Sequence, residues 1–111
     1  MRVLFVCSRN RLRSPTAERV FAAWPGVQTQ SAGLAAAAQL QVTPELLHEA
    51  QGVLVMERRH LTSLRKRSAA HLRHCRVICL QIPDDDAYMD PALIHRLEDT
   101  VPPLLRLPAH S

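Results

Sequence analysis

Aromatic residues make up only 4% of this 111-residue chain, there are three glycines, and the fourteen basic residues include a single lysine, Lys66. Phe5, Phe21, Trp24 and Tyr88 are scattered, so the interleaved stacking surface of a single-strand nucleic-acid binder is missing and no nucleic-acid partner is expected. Long hydrophobic runs are missing too. The strongest, Val3 to Cys7, is far too short to span a bilayer, and with Arg2 as its only leader charge it lacks the anatomy of a signal peptide. No membrane partner and a cytoplasmic location are expected. Cysteines are few and odd in number: Cys7, Cys75 and Cys79. That argues against a disulfide framework and leaves room for a reactive thiol. His71, His74 and Cys75 have no second ligand pair at metal-binding spacing, so no metal is expected, and no cofactor is called for.

What is present is ordinary for a globular protein: 47% apolar and 22% charged residues, with a net charge of +4 that favours an anionic partner. The length implies one domain over residues 1–111, able to bury roughly two thirds of the surface its unfolded chain exposes. Strand-length apolar segments at Arg2–Cys7, Val27–Ser31, Gly52–Met56 and Arg76–Ile82 alternate with helical patterns, the signature of βαβ units around a parallel sheet. Ser14-Pro15 reads as the cap and first residue of a helix that ends near Trp24-Pro25-Gly26. Thr43-Pro44 opens a second helix running to about Ala50, and Arg58 to roughly Arg73 is a basic, partly helical stretch. Asp90-Pro91 caps a last helix expected to end before Pro102-Pro103, while Ala35 to Gln41 reads as an irregular crossing. The expected class is α/β, a three-layer domain with four parallel strands and helices on both faces. Its ligand crevice lies at the carboxyl ends of the strands, just after Cys7.

There the chain reads Cys7-Ser8-Arg9-Asn10-Arg11-Leu12-Arg13-Ser14, a loop joining a buried strand to a helix start. Successive inward amides and a helix N-terminus make a cradle for an oxyanion such as phosphate or sulfate. The same field stabilises a thiolate on Cys7, which makes it a nucleophile. Arg13, closing the loop, can grip two nonbridging oxygens with its planar fork. A buried cysteine and solvated arginines would explain any one of these residues, but not all of them together at one strand-to-helix joint.

Cys7 through Pro15, read as C-x5-R-S-P after Val3-Leu4-Phe5-Val6, resembles the phosphate loop of low-molecular-weight protein tyrosine phosphatases, and more narrowly of their short predicted subgroup. Ser31-Ala32-Gly33, Val55-Met56-Glu57 and Ile82-Pro83-Asp84 are similar to later segments of that family. The resemblance implies sheet order 2-1-3-4 and hydrolysis of phosphate monoesters, phosphotyrosine or aryl phosphates, through a phosphocysteine on Cys7. The substrate is then a phosphorylated protein or a small aryl phosphate. The resemblance further implies Arg13 and the loop amides as phosphate ligands, Ser14 as hydrogen-bond donor to the Cys7 sulfur, and Asn10 locking the loop through Ser31. The general acid falls on Asp84, with Asp85 as the alternative, and Tyr88 stands near in sequence.

Several positions depart from the family pattern. Arg9 replaces a usual glycine, so the loop must avoid a positive dihedral there or bear strain. Leu12 replaces a second loop cysteine, which removes a protective disulfide for Cys7. The acidic run Asp84-Asp85-Asp86 stands where an aromatic wall is usual and implies a shallow, permissive site. Two other readings share the cradle: a thioredoxin-coupled arsenate reductase of the same fold relaying through Cys75 and Cys79, and a non-catalytic phosphate-binding module.

Overall fold

The computed structural model describes residues 1–38, 40–83 and 87–106. Along the chain run β1 (Arg2–Cys7), α1 (Arg13–Ala22), β2 (Gln28–Gly33), α2 (Pro44–Glu49), β3 (Gly52–Val55), α3 (Arg58–Ser68), a single 3-10 turn (Ala69–His71), β4 (Arg76–Cys79) and α4 (Pro91–Leu105). All strand pairs are parallel and the sheet order is β2-β1-β3-β4, as the sequence led one to expect.

The strand alternation assigns each face its core. Val3, Phe5 and Cys7 of β1 point to the side where Ala17 and Phe21 of α1 pack with Leu93, Leu97, Val101 and Leu105 of α4. Leu4 and Val6 point to the other side, against Leu47 of α2 and Leu64 of α3. Every residue of β1 after Arg2 is buried, which is why that strand reads as a continuous apolar run instead of an alternating one. Phe5 and Phe21 stack with ring centroids 5.8 Å apart, and Trp24 tilts against Phe21 at 5.3 Å, so three of the four aromatics are spent inside one core.

Several boundaries differ from expectation, β3 among them, which ends at Val55 and not Met56. Helix α1 starts at Arg13 with Leu12 at its cap, because the Ser14 hydroxyl is turned inward instead of capping. Pro15 still fits, since first-turn amides have no intrahelical partner to lose. Strand β2 starts one residue later than expected, at Gln28, and ends two later, at Gly33, which pairs with Cys7. Strand β4 stops at Cys79, although Leu80 and Ile82 still donate backbone hydrogen bonds to Val55 and Met56; Gln81 between them takes φ +56° and breaks the extended run.

Helix α4 does not end before Pro102-Pro103 but continues to Leu105. The two prolines cost the helix the N–H partners of Glu98 and Asp99, whose carbonyls lie on exposed residues within reach of water. Burial of Val101, Pro102 and Leu105 against the core outweighs that loss. The described residues of the crossing expected at 35–41, namely 35–38 and 40–41, form no helix or strand, as expected, and the segment is pinned by Gly33 N–H to the Leu40 carbonyl and Val42 N–H to the Gly33 carbonyl. Among the described residues no helix is long and apolar enough to cross a membrane.

Phe21 is fully buried and joins α1 to both β1 and the turn at Trp24. Phe21→Ala should lower unfolding stability by about 3–5 kcal/mol in urea titrations. A loss under about 1 kcal/mol would mean the core does not close around this ring.

Candidate active site

Cys7 ends a strand in the middle of the sheet, and the chain then winds through five loop residues into α1. This winding needs the neighbouring strand to come close. A Cβ on Gly33 would lie 2.6 Å from the Ser8 carbonyl oxygen and 3.0 Å from the Arg9 carbonyl carbon, so only glycine lets β2 support the loop here. Leu34 and Ala35 then donate their amides to the carbonyls of Cys7 and Ser8, at 3.0 and 2.8 Å.

The positive dihedral that the loop needs falls on Asn10, at φ +55°, while Arg9 keeps ordinary backbone angles. Asparagine tolerates this region better than most residues, and its side chain is held as well. Ser14 Oγ lies 2.9 Å from Cys7 Sγ and donates to Asn10 Oδ1 at 2.9 Å, with all three residues buried. A serine hydroxyl has one proton. With that proton on Asn10, the Cys7 thiol donates to Ser14; once Cys7 is a thiolate, the hydroxyl must turn to sulfur. Ser31, expected to bond Asn10, instead donates to Glu18 Oε1 of α1 at 2.6 Å. The single Ser31 hydroxyl proton goes to the stronger, carboxylate acceptor that α1 brings within reach, and Asn10 is held by Ser14.

Arg13 is buried, its side chain only 4% exposed. Its Nη1 donates to the Ile82 carbonyl at 2.7 Å and pairs with Glu57 Oε2 at 2.9 Å. The same Glu57 oxygen takes Arg59 Nη2 at 2.8 Å and Nε at 3.0 Å. Glu57 is fixed in turn as the cap of α3, accepting from the third helical amide while its own N–H donates to His60 Nδ1 at 3.1 Å. That bond occupies the Nδ1 lone pair, so His60 is a neutral imidazole with its proton on Nε2. From there it donates to Ser8 Oγ at 2.9 Å. Buried His60 thus ties the first loop residue to the same helix turn that holds Arg13.

Burial pushes the Glu57 carboxyl up, but hydrogen bonds from Arg13 and Arg59 and their charge outweigh this and hold it below the 4.5 of a free glutamate. Cys7, Ser8, Arg9, Arg11, Leu12, Arg13 and Arg59 together line an open pocket of about 520 Å³. The loop residues named from the sequence therefore stand around one cavity, except Asn10 and Ser14, which brace it from behind. Tyr88 is 46% exposed and lines no part of it, and Met89 beside it donates its amide to Thr16 Oγ1. Asp84 and Asp85, the candidates for the acid, lie outside the described residues, as does Asp86.

Sequence reasoning missed Glu57, His60, Arg59 and Glu18. Glu57 and His60 form a capping box with glutamate at the cap and histidine three residues on, in place of the usual Ser/Thr and Glu/Gln, at the start of the basic stretch. That spacing was the available signal.

A carboxyl whose folded value is depressed contributes stability in full above its unfolded value and loses it as pH falls through the folded one. Glu57→Gln should therefore melt lower than the wild type at pH 7, by about 1–3 kcal/mol. The gap should close as pH falls below about 4.5. A gap of the same size at every pH in thermal melts would contradict the pairing.

No protein-family model and no curated protein sequence matches the chain. Solved structures do. A Drosophila arginine phosphatase aligns with TM-score 0.74 at 17% identity, covering 96% of each chain. The tyrosine phosphatase Wzb of Escherichia coli K30, in complex with phosphate, aligns with TM-score 0.73 at 20% identity over 88% of this chain and 91% of its own. A low-molecular-weight phosphotyrosine phosphatase of Vibrio cholerae O395 aligns with TM-score 0.71 at 19% identity over 96% and 95%. Strand order, loop position and the extent of these alignments agree: the chain has the fold of the low-molecular-weight phosphotyrosine phosphatases.

Proposed function

We propose that the protein is a cytoplasmic, cysteine-dependent phosphatase that hydrolyses phosphate monoesters of the phosphotyrosine or aryl phosphate type. One observation carries the reading most directly. The Cys7 sulfur, the Ser14 hydroxyl and the Arg13 guanidinium converge on a single loop whose residues line a basic pocket.

The Cys7 thiolate attacks phosphorus in line, the P–O bond to the leaving group breaks, and the leaving oxygen takes a proton from Asp84, or from Asp85 in its place. Arg13 and the loop amides hold the three equatorial oxygens as charge redistributes over them. In the second step water gives its proton to the same aspartate and its oxygen to phosphorus, and the sulfur departs as a thiolate that Ser14 stabilises. The resting order of hydrogen bonds supports this role, because the Ser14 proton needs only a rotation to leave Asn10 for sulfur. Glu57 and His60 act through others: Glu57 aims Arg13, and His60 steadies Ser8.

The pocket rim carries Arg9, Arg11 and Arg59, cations that oppose a positively charged guanidinium leaving group and favour an oxygen ester. An arsenate reductase relay would need a second ready thiolate. Burial instead pushes the Cys75 thiol up, and its S–H donates to the carbonyls of Leu47 and Ala50 at 3.2 and 3.3 Å.

Turnover of phenyl phosphate across pH tests the reading. Cys7→Ser should show none, and whichever of Asp84→Asn and Asp85→Asn removes the acid should cost about 10²–10⁴-fold and abolish the alkaline limb of the profile. Turnover surviving in Cys7→Ser would overturn the proposal, and tight phosphate binding without any wild-type turnover would leave a binding module.

A further inference from the structure

From Arg58 to Pro83 the chain has seven arginines and lysines, half of its total, and no aspartate or glutamate. On α3 they are Arg58, Arg59, Arg65, Lys66 and Arg67, all exposed. Two have visible employment: Arg59 pairs with Glu57, and Arg67 donates to the Leu34 carbonyl. Arg58 and Arg65 make no ion pair or side-chain hydrogen bond among the described residues, yet both face one groove of about 530 Å³, with Leu61, Thr62, Cys79 and Gln81.

Two successive-residue pairs link this groove to the proposed catalytic site. Arg58 precedes Arg59, which lines its pocket, and Gln81 precedes Ile82, whose carbonyl holds Arg13. Arg58 and Arg65 are two helical turns apart, about 10 Å along the axis, which is the reach of roughly three extended residues. We propose that the groove is a subsite for the polypeptide flanking a phosphorylated residue, and that it selects substrates with acidic side chains there. The inference rests on the phosphatase reading and specifies its substrate.

An acidic polypeptide fits better than other polyanions. Phe5, Phe21 and Trp24 are buried, and Tyr88 lies off α3, so no aromatic is available to stack a base. The exposed large apolar residues, Met1, Leu12, Leu40 and Tyr88, also lie off α3, so no apolar wedge accompanies the charges for insertion into a lipid surface. A substrate chain, by contrast, must leave the catalytic pocket somewhere, and on this side it leaves between two guanidinium groups that have no carboxylate partner among the described residues.

The test compares phosphotyrosine peptides that carry glutamates within three residues of the phosphotyrosine with the same peptides carrying glutamines. The acidic peptides should show a kcat/KM higher by about tenfold or more, expressed in KM, and about 0.5 M NaCl should erase the difference. The double variant Arg58→Glu/Arg65→Glu should lose the preference while turning over phenyl phosphate within about twofold of wild type, since neither residue touches the reacting atoms. Binding of the same fluorescent peptides to Cys7→Ser, by anisotropy, reads the groove without turnover. If the wild type hydrolyses nothing, the phosphatase reading fails while this arm still decides the subsite. Equal values for the two peptides, a preference that survives the double reversal, or equally tight binding of duplex DNA or phosphatidylserine vesicles through the same two arginines would each overturn the proposal.

Discussion

A guanidinium as buried as that of Arg13 can remain in the interior only if its charge is answered, because an unpaired ion there would cost several kcal/mol. Glu57 answers it, and the Ile82 carbonyl takes a further N–H. The arrangement connects four elements through one ion pair. Arg13 begins α1, Glu57 stands between β3 and α3, and Ile82 follows β4. Glu57 is itself over-determined: it caps α3, where the helix dipole favours an anion, and it accepts from Arg59 as well. The carboxylate therefore stays charged and stays in place, which fixes the direction of Arg13. Under the proposed function such preorganisation would serve catalysis, because no reorganisation is then required as the transition state forms.

The loop is held by a different kind of constraint, steric before it is electrostatic. Gly33 lets β2 approach the Ser8 and Arg9 backbone, Asn10 absorbs the positive dihedral, and Ser14 spends its one proton between Asn10 and sulfur. The strain expected at Arg9 is moved one residue along, onto a side chain that tolerates it. Arg9 is thus free to stand exposed on the pocket rim, where a glycine would add no charge. His60 completes the brace from α3, so the loop is gripped on one flank by β2 and on the other by the helix turn that also orients Arg13.

Much of this was legible in sequence, and the reason differs by element. The strands of the central sheet announced themselves because both faces are covered, so β3 and all of β1 after Arg2 are apolar. Thr43-Pro44 and Asp90-Pro91 gave true helix starts, each with the expected side-chain cap. Ser14 has the same local pattern but does not cap, because its hydroxyl has competing partners in Cys7 and Asn10 that local pattern cannot show. The end of α4 was misread for the opposite reason: two prolines are a strong local stop, and burial of Leu105 overrode it. Long-range partners were invisible in principle. Nothing in the spacing of Ser31 and Glu18, thirteen residues apart, or of Ser8 and His60, fifty-two apart, announces a contact.

The charges separate into two populations with different physical explanations. Arg13, Arg59 and Arg2 each have a carboxylate within 3.3 Å, and their cost of ordering is offset inside the fold. Arg58, Arg65 and Lys66 have none among the described residues, and Arg65 and Lys66 stand beside Arg67 in the last turn of one helix. A helix C-terminus favours cations, so Arg65, Lys66 and Arg67 gain a few tenths of a kcal/mol each from their position, about 0.3–1 at most at an exposed site. Arg58 gains nothing of the kind. It sits in the first turn, where the dipole opposes it, next to another arginine and with no partner among the described residues, an arrangement that folding alone disfavours. Its placement on a groove shared with Arg65 is therefore what the proposed acidic occupant would explain and helix stability does not.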